Sequence, residues 1–262
     1  MTKELVQVIP KESKALRHNI NFVVKGGGIT FAGKMFLSIS RLVTTILLAR
    51  LLGSQQYGLY SLSLSAANIA VVLAVFGLDT ALIRYIAIQN NRKDEVGIWG
   101  TLQIGIGTAV LLSTITGTML YAFSFPIADK IFHEPSLAPL LQIISVIIPI
   151  LVLSEVLVGA NRGFKRMDAP VVAQFVAQPI IRLVLILILM LVGFNTAWAI
   201  LTFGLADLAA AFILLHYLNK EFPLKRPLRQ ARYDTKEIMG FSVPVWLSEM
   251  MFKFQGNLQT LL

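Results

Sequence analysis

Residues 137–159 read LAPLLQIISVIIPILVLSEVLVG, a run in which Glu155 is the only ionisable side chain. As an α-helix this run is about 35 Å long, enough to cross the roughly 30 Å hydrocarbon core of a bilayer. Six further stretches of comparable length and character lie on either side of it. They are 28–50, 57–77 with a helical continuation to 88, 98–125, 170–192, 196–218 and 241–262. The pattern predicts an all-α, polytopic helical membrane protein. Pro149, Pro179 and Pro244 fall inside these spans and predict kinks, which a buried cavity tolerates.

The composition agrees. Of 262 residues, 56% are in the AVILMFWYC set and 14% are charged, against about 25% charged in soluble domains. The mean hydropathy is +0.72. Disorder and a coiled coil do not fit such a chain. The absence of cysteine excludes disulfides, thiolate nucleophiles and Cys-ligated zinc, and His18, His133 and His216 are too scattered to suggest a metal centre. No cofactor is expected.

Lysine and arginine concentrate in alternate loops. The N-terminal segment 1–27 and the loops around residues 84–93, 162–166 and 219–240 hold 17 of the 23, whereas the intervening loops hold only Arg50 and Lys130. Cytoplasmic loops carry this excess, so the N-terminus is expected in the cytoplasm, without a removable signal peptide. The chain thus divides into a cytoplasmic segment 1–27, a six-helix bundle 28–218, a cytoplasmic basic linker 219–240 and the start of a seventh span at 241–262. The net charge of +9 is explained by this topology and calls for no nucleic-acid partner. The basic run from Lys220 to Lys236 is placed to lie on anionic headgroups.

The remaining four cations, Lys34, Arg41, Arg182 and Lys253, fall within the apolar spans, as do Glu155, Asp207 and Glu249. Even lenient insertion scales charge about 2.5–3.5 kcal/mol for such a group at mid-bilayer, which marks each as a candidate site residue. Their spacing is ordered. Thr30, Lys34, Ser38, Arg41 and Thr45 form one polar stripe on the first span. Gln174, Gln178 and Arg182 repeat every four residues, and Arg182 and Asp207 sit near the middle of adjacent spans. Two readings stand for Arg182 with Asp207, and for Glu249 with Lys253: pairing that holds helices together, or lining of a binding or coupling site. The first span carries no acid to neutralise Lys34 and Arg41, so this stripe suits an anionic ligand. Asp79 and Arg84 lie near the membrane interface and read as structural, with Arg50 snorkelling outward.

Several familiar patterns fail. Residues 28–34, GITFAGK, match the first seven positions of a phosphate-binding loop, but Met35 replaces the required Ser or Thr and no strand precedes the glycines. Gly159 and Gly163 form a lone G-x-x-x-G at a helix end. No metalloprotease, nucleophile-elbow or paired-carboxylate signature is present, and no enzymatic activity is expected.

Leu48-Ala49-Arg50-Leu51-Leu52-Gly53, Tyr57-Gly58-Leu59-Tyr60, Phe76-Gly77-Leu78 and Arg84-Tyr85-Ile86-Ala87 resemble the first two helices of the polysaccharide-transport flippases. These belong to the multidrug/oligosaccharidyl-lipid/polysaccharide exporter superfamily. Phe241-Ser242-Val243-Pro244, opening the seventh span, fits more loosely. The resemblance implies a MATE-like, V-shaped transporter of two six-helix bundles in the cell membrane, opening alternately to either side. This chain supplies one bundle and the start of helix 7. The implied cargo is a polyprenyl-pyrophosphate-linked glycan. Lys34 and Arg41 take the place of basic residues thought to hold the pyrophosphate, with Arg182 and Lys253 as further candidates. The lipid bilayer, a missing C-terminal half or a second copy, and glycan polymerase and glycosyltransferases are the implied partners. Two alternatives remain open: a cation-coupled multidrug exporter of the same superfamily, for which Asp207 and Glu155 would serve, and a non-transporting membrane component of polysaccharide assembly.

Overall fold

The computed structural model describes residues 2–191, 193–223 and 231–261, with side chains described for 27–28, 30–191, 193–223 and 231–251. The side chain of Lys253, those of the basic residues in the first 26 positions, and Lys225, Arg226 and Arg229 lie outside the described residues. Among the described residues all regular structure is helical. In order these elements are α1 (Thr2–Val75), α2 (Leu78–Asn91), α3 (Glu95–Ala122) and α4 (Ser124–Lys130). There follow α5 (Ala138–Gly163), preceded by a 3₁₀ turn at Pro135–Leu137, then α6 (Asp168–Met190), α7 (Thr196–Glu221) and α8 (Thr235–Leu261).

Among the described residues five stretches are long and apolar enough to cross a membrane: Thr30–Val75, Glu95–Ala122, Pro135–Gly163, Asp168–Met190 and Thr196–Glu221. The first has 46 residues, about 70 Å if straight and twice what one crossing needs. It is broken at Gly53 (φ 72°, ψ 172°), so its two arms correspond to the first two expected spans. The arms before and after Gly53 line the same cavity. The seventh expected span lies in α8, which starts at Thr235, upstream of Phe241. Backbone at the Gly53 geometry is essentially restricted to glycine, and an added Cβ would meet nothing within 4 Å. Gly53→Ala should therefore destabilise by about 1–3 kcal/mol through backbone strain alone, read as a lower melting temperature of the detergent-solubilised protein.

α5 is the hub, packed against α1, α2, α3 and α7, and its apolar stretch is the most buried of the five. In lipid, close backbone approach replaces the hydrophobic drive between helices, and small residues allow it. At Gly159 a Cβ would stand 2.4 Å from the Asp79 carbonyl oxygen, and at Gly117 it would stand 2.7 Å from that of Ser145. An added Cβ at Gly163 would stand 2.8 Å from Ile86 Cβ and 3.0 Å from the Leu82 carbonyl oxygen, and one at Gly105 would meet the Leu82 side chain at 2.4 Å. The G-x-x-x-G pair that reads as isolated in the sequence thus seats α2 on α5. Two apolar clusters fill the bundle, one around Leu82, Leu102, Val156 and Leu214, the other around Leu48, Leu141, Ile144 and Ile200.

The helix ends are closed by local means. Asp94 caps α3 by accepting from Gly97 N at 2.9 Å, and Asn195 caps α7 by accepting from Trp198 N at 3.0 Å. Phe76 (φ 52°) and Gly77 (φ 68°) are both left-handed and separate α1 from α2. α8 docks on this break: the Trp246 indole N–H donates to the Val72 carbonyl at 3.2 Å, and its ring lies 5.0 Å from that of Phe76.

Candidate functional site

A cavity of about 530 Å³ lies between the two arms of α1 and the helices α5, α6 and α7. Of the residues singled out from the sequence, it gathers Arg41, Glu155, Arg182 and Asp207, together with Gln174 and Gln178. Lys34 is exposed and lies outside the cavity wall. Glu249 is elsewhere, accepting from the Thr80 hydroxyl at 3.4 Å across the α2–α8 contact.

The first arm of α1 shows how Arg41 is aimed. Gly33, Ser40, Thr44 and Leu48 are buried and form the seam against the bundle. At about 100° per residue the stripe of Lys34, Ser38, Arg41 and Thr45 is centred roughly 90° from that seam. Beyond it the helix turns Phe31, Met35, Leu42 and Ile46 outward. The stripe therefore lies on the border between packed and outward faces. Arg41 and Thr45 reach the cavity, whereas Lys34, two turns away, does not. Among the described residues neither Lys34 nor Arg41 forms an ion pair.

On α6 the four-residue repeat works because the helix is not uniform. Val171–Ala177 is π-helical and α-helix resumes at Gln178. A four-residue step overshoots an α-helical turn by about 40° and falls short of a wider π turn. The two deviations oppose each other, so Gln174, Gln178 and Arg182 all line the cavity. The Gln178 side-chain amide donates to the Asp207 carboxylate at 2.7 Å. Arg182 donates instead to the Tyr60 hydroxyl, and its guanidinium lies 5.2 Å from the Phe203 ring centre and 5.9 Å from that of Tyr60. Arg182 and Asp207 thus share a cavity but form no ion pair, each having been taken by a neutral neighbour.

The second arm of α1 contributes a polar wall that no charged residue marks. Tyr57, Ser61, Ser65 and Asn68 all line the cavity, and the Tyr57 and Tyr60 rings are 5.9 Å apart. Their three-to-four spacing is the same signal that picks out the first arm, carried by uncharged side chains. Among the described residues no group of three or more His, Asp or Glu side chains is placed to hold a metal ion.

Residues 23–262 match the family model described as "Polysaccharide biosynthesis protein". The chain belongs to this family. It is 26% identical over 248 residues to "Stage V sporulation protein B" of Bacillus subtilis (strain 168), a match covering 90% of this chain and 47% of that protein. Among solved structures it resembles the outward-facing conformation of a multidrug resistance MATE family transporter of the MOP superfamily (TM-score 0.70, 17% identity). It also resembles a MOP superfamily transporter from Pyrococcus furiosus whose binding pocket is described as of reverse polarity (TM-score 0.68, 17% identity). Both matches cover 87% of this chain and 52% of the other. The polysaccharide family member thus has a MATE-like, multi-pass helical fold and spans about half the length of these relatives.

Proposed function

We propose that the complete carrier is a flippase that moves lipid-linked oligosaccharide or polysaccharide repeat units across the cytoplasmic membrane by alternating access of a cationic central cavity. One observation carries this reading: in a chain of the polysaccharide biosynthesis family, Arg41 opens into a polar cavity inside an apolar bundle with no ion pair among the described residues. Carrying a pyrophosphate and several hydroxyls through hydrocarbon costs on the order of 20 kcal/mol. A cavity that supplies fixed cations and donors replaces the lost water while the lipid tail stays in the bilayer, so no covalent step is needed. Lys34 and Arg41 serve as headgroup ligands, and Arg182 and Lys253 are secondary candidates. The N-terminal segment and the basic linker face the cytoplasm, the second bundle comes from the rest of the carrier or a second copy, and glycan polymerase and glycosyltransferases act on either side of transport.

The test is reconstitution of the complete carrier in vesicles with a polyprenyl-pyrophosphate-linked oligosaccharide bearing a fluorophore on the glycan. Headgroups on the inner leaflet should become accessible to an impermeant quencher at least about tenfold faster than in protein-free vesicles; equal rates would refute the flippase reading. Asp207 and Glu155 in the same cavity favour a second reading, a cation-coupled drug exporter. Efflux of a cationic dye that disappears with Asp207→Asn, without glycan flipping, would establish that reading instead.

A further inference from the structure

We infer that the α6–α7 wall of the cavity, with the second arm of α1, is a subsite for the neutral sugar units of the cargo, distinct from the α1 stripe that meets its phosphate. This assignment rests on the flippase reading above.

The placement of charge is the first reason. The carboxyl groups of the cavity, Glu155 and Asp207, are carried by α5 and α7, whereas Arg41 stands on the α1 stripe. A diphosphate gains no cation from Asp207, whose carboxyl oxygens compete with it for donors. A sugar hydroxyl, which both donates and accepts, can pair with a carboxyl group in either protonation state.

The second reason is the donor and acceptor pattern. Asn68, Gln174 and Gln178 line this region, and amides both donate and accept, as adjacent hydroxyls on a sugar ring require. The 2.7 Å bond from Gln178 to Asp207 orients both groups and leaves the Gln178 amide with an oxygen and a second N–H to offer. Arg182 is drawn onto the rings of Tyr60 and Phe203 and is less available as a phosphate ligand than Arg41. The Tyr57 ring beside Tyr60 adds an aromatic face suited to the C–H face of a pyranose.

Size and spacing agree. A volume of about 530 Å³ falls within the roughly 300–1,000 Å³ of small-ligand sites. Lys34 lies seven residues before Arg41, about 10 Å along the helix, and outside the cavity wall. The stripe thus joins a phosphate position at Lys34 to the cavity wall at Arg41 over the length of a sugar unit or two.

The complete carrier in nanodiscs, titrated separately with two probes, tests the assignment. One probe is the neutral, phosphate-free oligosaccharide released by mild acid from the source cells' lipid-linked pool; the other is inorganic pyrophosphate. Gln174→Ala should weaken oligosaccharide binding about tenfold, the order expected for one or two lost hydrogen bonds, and leave pyrophosphate binding within about twofold. Lys34→Gln should do the reverse, and retained binding of the other probe shows that each variant is folded. Three results would overturn the subsite: no binding of the oligosaccharide to a carrier that binds pyrophosphate, competition between the two probes for a single site, or ethidium binding that requires Asp207 and excludes the oligosaccharide. Failure of the flippase reading itself shows differently, as absence of glycan flipping by the unaltered carrier.

Discussion

With Lys34 and Arg41 both replaced by Gln, glycan flipping should slow by at least about 100-fold while the amount of folded carrier in the membrane stays level or rises. Glutamine keeps a polar, hydrogen-bonding side chain at each position and removes only the charge. An uncompensated charge at mid-bilayer costs about 2.5–3.5 kcal/mol, and each 1.36 kcal/mol added to the barrier is about tenfold in rate. Loss of the compensation from one cation alone therefore accounts for about two orders of magnitude. Folding should not suffer, because neither side chain forms an ion pair among the described residues and glutamine is cheaper to insert than a cation. The single variants should be unequal in saturating substrate: Arg41→Gln slows the step in which the headgroup is inside the cavity, whereas Lys34→Gln acts mainly on capture from the membrane. An unchanged rate in the double variant, measured by the quencher assay, would remove both residues from the site.

Gly159→Leu should destabilise the bundle by at least about 3 kcal/mol, a large share of the marginal stability of a domain. A Cβ at this position would stand 2.4 Å from the carbonyl oxygen of Asp79 and 2.8 Å from its Cα. These are backbone atoms, so no rotamer change relieves the clash and α2 must lift away from α5. Overpacking a tight contact costs about 1–3 kcal/mol for modest insertions, and leucine adds far more than one methyl group. Gly159→Ala should fall in between. Gly107 provides the control, since a Cβ there meets nothing within 4 Å; Gly107→Ala should be neutral or stabilising by up to about 1 kcal/mol through helix propensity. Thermal unfolding of the purified protein in detergent distinguishes the three variants.

Much of this architecture was legible in the linear chain, because in hydrocarbon each helix must satisfy its own backbone hydrogen bonds, so length and apolarity suffice to delimit a span. The polar stripes were legible too, because helical period is a local property. Gln174, Gln178 and Arg182 lie on one wall as their spacing implies, although a π-helical stretch rather than a regular helix brings them there. The seat of α2 on α5 was not legible: Gly159 and Gly163 reveal their use only when Asp79 and Ile86 are brought against them.

The chain's own residue order determined that the protein is a helical membrane bundle, which helix faces are polar, and that Arg41, Arg182, Glu155 and Asp207 fall within apolar stretches. Only the tertiary structure decided their partners. It turned Arg182 to Tyr60 and Phe203 and gave Asp207 to Gln178, and it left Lys34 outside a cavity that Arg41 enters. The physical reason is that helical periodicity fixes direction around an axis, whereas the choice among neighbours several residues and one helix away depends on how closely the backbones pack, and that is set by contacts between segments far apart in the chain.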